Sequence, residues 1–73
     1  MNMLTFELNK AQESVEIFFD EAGAELLKSY IDEALKRRDH FHLKTPEWAG
    51  TELSSERQGS ENELINHVRI ACV

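Results

Sequence analysis

Apolar and polar positions alternate twice near the start of the chain. In residues 3–8, Leu4, Phe6 and Leu8 fall on one side and Met3, Thr5 and Glu7 on the other. In residues 14–19, Val15, Ile17 and Phe19 share a side, while Phe18 interrupts the polar one. The link between them, Asn9-Lys10-Ala11-Gln12-Glu13, is short and polar. Two period-two segments joined this way predict a β-hairpin.

The period then lengthens. Asp20 suits a helix N-cap, and Glu21 suits the positive end of the helix dipole. From Ala22 to about Arg38 the residues Leu27, Tyr30, Ile31, Ala34 and Leu35 form one apolar stripe. On the opposite face Asp32–Lys36 and Glu33–Arg37 are acid-first i,i+4 pairs, and Lys36, Arg37 and Arg38 suit the helix C-terminus. Alternation resumes in residues 39–44, with Phe41 and Leu43 on one face and His40 and His42 on the other. A last alternating segment covers residues 64–73. It sets Leu64, Asn66, Val68, Ile70 and Cys72 against Ile65, His67, Arg69, Ala71 and Val73.

This order predicts an α+β fold of ββαββ type, with one helix packed on one face of a mainly antiparallel four-stranded sheet. The expected core is Leu4, Phe6, Ile17, Leu27, Ile31, Phe41, Leu43, Val68 and Ile70, with the other sheet face partly open. Residues 45–63 read as a long irregular loop, which inside a small domain is usually functional or mobile. Within it Trp48 is expected to fold back onto the sheet, and residues 51–53 to make a turn or a short edge strand.

Length and charge narrow the function classes. At 73 residues the chain is read as a single domain over 1–73. A core of that size supplies only about 3–5 kcal/mol of net stability. Its single cysteine, Cys72, rules out an internal disulfide and fits a reducing cytoplasm. The first ten residues are too short and too acidic for a secretory signal, and no apolar run approaches the roughly 20 residues that span a bilayer. The net charge of −6 is uneven: residues 1–35 carry −6, residues 36–44 carry +3 and residues 45–63 carry −4. Such a balance disfavours nucleic acid and anionic membrane, and it favours a basic protein surface. Plain solubility would account for it equally well.

Candidate chemistry concentrates between His40 and His67. His40 and His42 share a strand face, and His67 falls on the outer face of the last strand, so pairing of these strands would bring three imidazoles together. Ordinary surface histidines explain the pattern better, because no spacing of a known zinc class is present. Cys72 reads as a small buried hydrophobe before it reads as a nucleophile. Glu47, Glu52, Glu56, Glu61 and Glu63 read first as a solvated acidic loop, and more sharply as charges meeting Lys and Arg on a partner. Trp48 reads first as core; half-exposed beside Pro46 and Glu47, it would be an interface anchor. No phosphate loop or dinucleotide fingerprint is present.

The run HFHLKTPEWAGTELS, with Gln58 to Ile70 after it, resembles the immunity protein 32 family of bacterial polymorphic-toxin systems. The likeness is sharpest at His42-Leu43, Pro46-Glu47-Trp48, Gly50, Glu52-Leu53 and residues 63–68. Upstream, two short strands and Asp20-Glu21-Ala22-Gly23 opening a helix agree with it, so it covers most of the chain. The resemblance implies a small cytoplasmic protein, neither an enzyme nor cofactor-dependent, that binds and neutralises a cognate toxin. Residue types then point to Glu47, Trp48, Glu52, Glu56, His40 and His42 as the partner-binding set, and a basic toxin such as a nuclease would fit the acidic charge. A metal-binding module using His40, His42 and His67 is one alternative. A homodimer formed through edge strands or the open face is another.

Overall fold

The computed structural model describes residues 3–73, and Met1 and Asn2 lie outside the described residues. The elements are β1 (Leu4–Asn9), β2 (Ser14–Phe19), α1 (Glu21–Arg37), β3 (His40–Lys44), a 3-10 turn (Pro46–Trp48), β4 (Glu63–Leu64) and β5 (His67–Ala71). The fold is α+β, with one helix as expected. The strands form two small antiparallel sheets, β2-β1-β4 and β3-β5, where one four-stranded sheet was expected.

The difference lies in the last segment. The expected continuous strand over 64–73 is divided at Ile65 and Asn66. The Ile65 N–H donates to the Phe6 carbonyl at 2.9 Å, so this end still follows β1. The Asn66 carbonyl accepts from Thr45 N–H at 3.1 Å, and from there the chain runs beside β3. Glu7 pairs with Leu64 in the first sheet, and Leu43 pairs with Val68 in the second.

The hairpin closes as its polar link suggests. Gln12 N–H donates to Asn9 Oδ1 at 3.1 Å, and Glu13 takes the left-handed conformation at φ 52° before β2 begins. In α1 the Asp20 carboxylate caps Gly23 N–H at 2.7 Å and also accepts from Met3 N–H at 3.0 Å, tying the helix start to the head of β1. At the other end Arg38 turns left-handed and donates to the Ala34 carbonyl. Glu33 and Arg37 close at 3.3 Å, whereas Asp32–Lys36 is not among the ion pairs of the described residues.

Leu4, Phe6, Leu43 and Leu53 form the buried centre, with Leu27, Tyr30, Phe41, Ile65 and Val68 packed around it. Tyr30 meets Phe41 edge-on at 5.3 Å. Three expected core residues lie outside it: Ile17 is 44% exposed, Ile31 is 50% exposed, and Ile70 lines a surface groove beside Ile31. A helix is about 10 Å across and covers roughly two strands at about 4.8 Å spacing. Here Leu27 and Tyr30 of α1 pack on the cluster that holds Leu4 and Phe6, while the apolar row of β2 stays open.

The opposite face of β1 is the reverse of what alternation suggests. Thr5 and Glu7 are fully buried there, because the segment from Ser54 to Asn62 lies over them. Ser54 N–H donates to the Leu4 carbonyl at 2.8 Å, and Leu4 N–H returns a bond to Ser54 Oγ at 3.1 Å. The face expected to stay open on this sheet is therefore closed by the chain itself.

Candidate functional site

The β3–β5 register decides which polar side chains meet. His40 stands opposite Ala71, His42 opposite Arg69 and Lys44 opposite His67, and all six share the face turned away from α1. His42 Nδ1 lies 2.7 Å from His67 Nε2, and the His40 and His42 rings are 5.0 Å apart. His40 is held from its own end, where Asp39 Oδ1 lies 3.2 Å from His40 Nδ1 and accepts from its backbone N–H at 2.7 Å.

Trp48 completes this face. Thr45 follows β3 and caps the 3-10 turn, and its carbonyl accepts from Trp48 N–H and from Gly50 N–H, both at 2.9 Å. Pro46 sets the first residue of the 3-10 turn, and Ala49 ends it in the left-handed region at φ 64°. A Cβ at Gly50 would run into the Lys44 backbone, so the tight return needs glycine. The turn brings the indole against the His67 ring at 6.0 Å while leaving Trp48 53% exposed. Trp48 does fold back onto the sheet, but onto the outer face and not into the core.

A direct bond between two imidazoles needs one donor and one acceptor, so the His42–His67 pair holds a single proton between its facing nitrogens. The His42 pKa is lowered. Desolvation is the largest cause, followed by the charges of His67, His40, Lys44 and Arg69. The pair survives protonation of one ring and is lost only when both facing nitrogens carry protons. Among the described residues no group of three or more His, Cys, Asp or Glu is placed to hold a metal ion. The strands do bring His40, His42 and His67 together, with His42 bonded to His67 and the His40 ring edge-on to His42.

The acidic candidates separate. Glu47 is exposed on the 3-10 turn beside Trp48. Glu52 turns inward, accepting from Lys44 N–H at 3.0 Å and from Thr51 Oγ1 at 3.3 Å. Burial works to raise its pKa, but these bonds and its own backbone amide bring the net value down. It is a bracket for the turn, and that removes it from the free charges expected to face a partner. Glu56 is exposed elsewhere, at a cleft of about 380 Å³ that also involves Asp20, Pro46 and Leu53. Cys72 was expected to be buried and is half-exposed, in an apolar groove with Ile31, Leu35 and Ile70.

The residues that hold the site gave no sign in the sequence pattern. Glu7 Oε2 accepts from Thr5 Oγ1 at 2.6 Å and from Gln58 N–H at 2.9 Å. Its Oε1 accepts from Gly59 N–H at 2.9 Å and from Asn62 Nδ2 at 3.1 Å. Burial alone would raise this carboxyl's pKa, but the four donors outweigh it and bring the value to about 2. Asn62 reaches on to Glu16 at 3.0 Å, and Arg57 Nη1 donates to the Asn62 carbonyl at 3.0 Å. Thr45 Oγ1 donates to Asn66 Oδ1 at 2.7 Å, where the two sheets meet. Residues 45–63, expected to be irregular, are irregular in shape but bonded to the sheets at both ends. On Glu7 the only signal was its alternation, which reads as a solvated strand face.

Among the described residues no helix is long and apolar enough to cross a membrane. No family model matches the chain, and neither a curated protein nor a solved structure matches it.

Proposed function

We propose that this chain is a cytoplasmic binding protein, without catalysis of its own, that neutralises a cognate bacterial toxin by occupying the toxin's surface. The observation that carries the reading is Trp48. A large aromatic held half-exposed on a braced turn, against His67 and beside the exposed Glu47, has the makeup of an interface anchor with a polar rim. The turn is fixed by backbone bonds to Thr45 and by the Glu52 bracket, so little ordering is left for binding to supply. The resemblance of residues 40–70 to the immunity protein 32 family supplies the biological role.

The contact surface is the outer face of β3–β5: Trp48 at the centre, His40, His42 and His67 along one side, and Glu47 at the rim. The net charge of −6 steers the chain toward a basic toxin. Glu56 lies at the separate cleft and contributes only if the toxin reaches around the 3-10 turn.

The test is co-expression with toxin domains encoded beside the gene, scored by survival and by direct binding of purified proteins. Wild-type protein should protect. Trp48→Ala should lose protection and weaken binding at least tenfold, with an unchanged melting temperature, and Glu47→Lys should slow association. Full protection by Trp48→Ala would sink the named surface; failure of the wild type against every neighbouring toxin would sink the immunity reading.

A further inference from the structure

The β2 strand is an unfinished edge. In the sheet order β2-β1-β4 it has, among the described residues, a neighbour on one side only. Leu4 and Phe6 turn their carbonyls toward Ser54 and Ile65, while the Met3 carbonyl accepts from Asp20 N–H on the other side. Alternation along the strands then points the backbone groups of Ser14, Glu16 and Phe18 at β1. Those of Val15, Ile17 and Phe19 point outward, away from the sheet. The same three residues carry the uncovered apolar row, at 57%, 44% and 55% exposure. Free hydrogen-bonding groups and exposed apolar side chains thus coincide on one strand, with no proline and no lysine to blunt it.

We infer that β2 pairs antiparallel with β2 of a second copy about a two-fold axis at Ile17, joining the two three-stranded sheets edge to edge. In this register Ile17 faces Ile17 of the second copy, and Val15 faces Phe19 of the second copy. Each of these pairs exchanges two backbone hydrogen bonds, because all the residues involved point outward. On the other face Glu16 meets Phe18 of the second copy. The two neighbouring registers that keep apolar residues together set Glu16 against either Glu16 or Asp20 of the second copy, and like charges directly opposite disfavour both. The strand is self-complementary in one register, which argues for a second copy over an unrelated strand.

The size of the patch sets the strength. A whole large side chain offers roughly 150–250 Å², so these three half-exposed ones offer on the order of 300 Å² per copy. That is well short of the roughly 800 Å² per partner of a standard stable interface. The dimer is therefore weak and forms only at high protein concentration. Glu13 and Glu21 approach each other across the ends of the pair, so added salt strengthens it. A toxin contact made through opposite charges responds to salt in the reverse sense.

Sedimentation equilibrium of the full chain from about 10 µM to 1 mM tests this. The expected result is a reversible rise toward twice the monomer mass, larger at high salt. Ile17→Lys, which sets two charges at the axis, should weaken association more than tenfold while keeping the far-UV spectrum. Val15→Lys should weaken it as well. The double variant Val15→Lys/Phe19→Glu should recover the dimer at low salt through opposite charges placed across the pair. Amide exchange on wild-type protein gives a readout that needs no variant: the Val15, Ile17 and Phe19 amides should slow with concentration, while Glu16 and Phe18 stay protected throughout. A monomer at 1 mM, a concentration-independent exchange rate at Ile17, or a double variant no better than Val15→Lys would overturn the inference.

Discussion

Glu7→Gln keeps the shape of a buried side chain and removes its charge. Glu7 accepts four hydrogen bonds, two at each carboxylate oxygen, and none of the donors belongs to a cationic side chain. A glutamine can accept at one oxygen only, so its NH2 group must face at least one N–H donor wherever it is turned. One orientation strands Gln58 N–H, while the Thr5 hydroxyl can rotate to accept from the NH2; the other sets the NH2 against Gly59 N–H and Asn62 Nδ2. The titration of Glu7 gives the scale. Lowering its pKa from 4.5 to about 2 corresponds to about 3 kcal/mol of preference for the ionised form in the folded state. That is most of the net stability of a domain this small.

The sign follows from which state takes the proton first. The unfolded chain protonates Glu7 near 4.5 and the folded chain only near 2, so the contribution is complete above about 4.5. It declines by about 1.4 kcal/mol per pH unit between those values and is gone below about 2. Asp20 and Glu52 also have lowered pKa values and act in the same direction. Urea unfolding at pH 7 and at pH 3 measures both effects. Glu7→Gln should lose about 3 kcal/mol at pH 7, and the gap to wild type should narrow at pH 3. A variant within about 0.5 kcal/mol of wild type at pH 7 would refute the view that this carboxylate pins the 54–62 segment. So would a wild-type stability that stays level from pH 5 to pH 2.

Two further outcomes test the rest of the scaffold. Leu53→Ala empties a buried position on an irregular segment and should cost about 2–4 kcal/mol by urea unfolding; a loss under about 1 kcal/mol would mean that the turn is not part of the core. His67→Ala removes the hydrogen-bond partner of His42 and one of the charges that lower its pKa, so the His42 ring should titrate at higher pH in an NMR titration. An unchanged or lower titration point would contradict the paired-imidazole arrangement.

Much of the architecture could be read before any coordinates. The hairpin, the Asp20 cap, the helical stripe and strand β3 all appear as period and capping signals, because each depends on neighbours close in sequence. The Leu4, Phe6 and Leu43 positions were legible for the same reason. Other positions were not. Ile17 and Ile31 have the right period for a core, yet one helix cannot cover every row of the strands beneath it. Leu53 sits in no periodic segment and is buried all the same. Glu52 and Glu56 look alike as loop acids, but one is consumed by the Lys44 backbone and the other is exposed at a different cleft.

The sequence by itself determined the type and order of the elements, the acidic balance, and the placement of His40 and His42 on one strand face, since period-two and helical patterns follow from local geometry. Only the tertiary structure decided that the last segment is shared between two sheets, that Glu7 is an internal acceptor and not a solvated charge, and that Trp48 lies on His67 and outside the core. Each of those depends on contacts between residues 19 to 59 positions apart. Such contacts are set by how the chain closes on itself and leave no period along it.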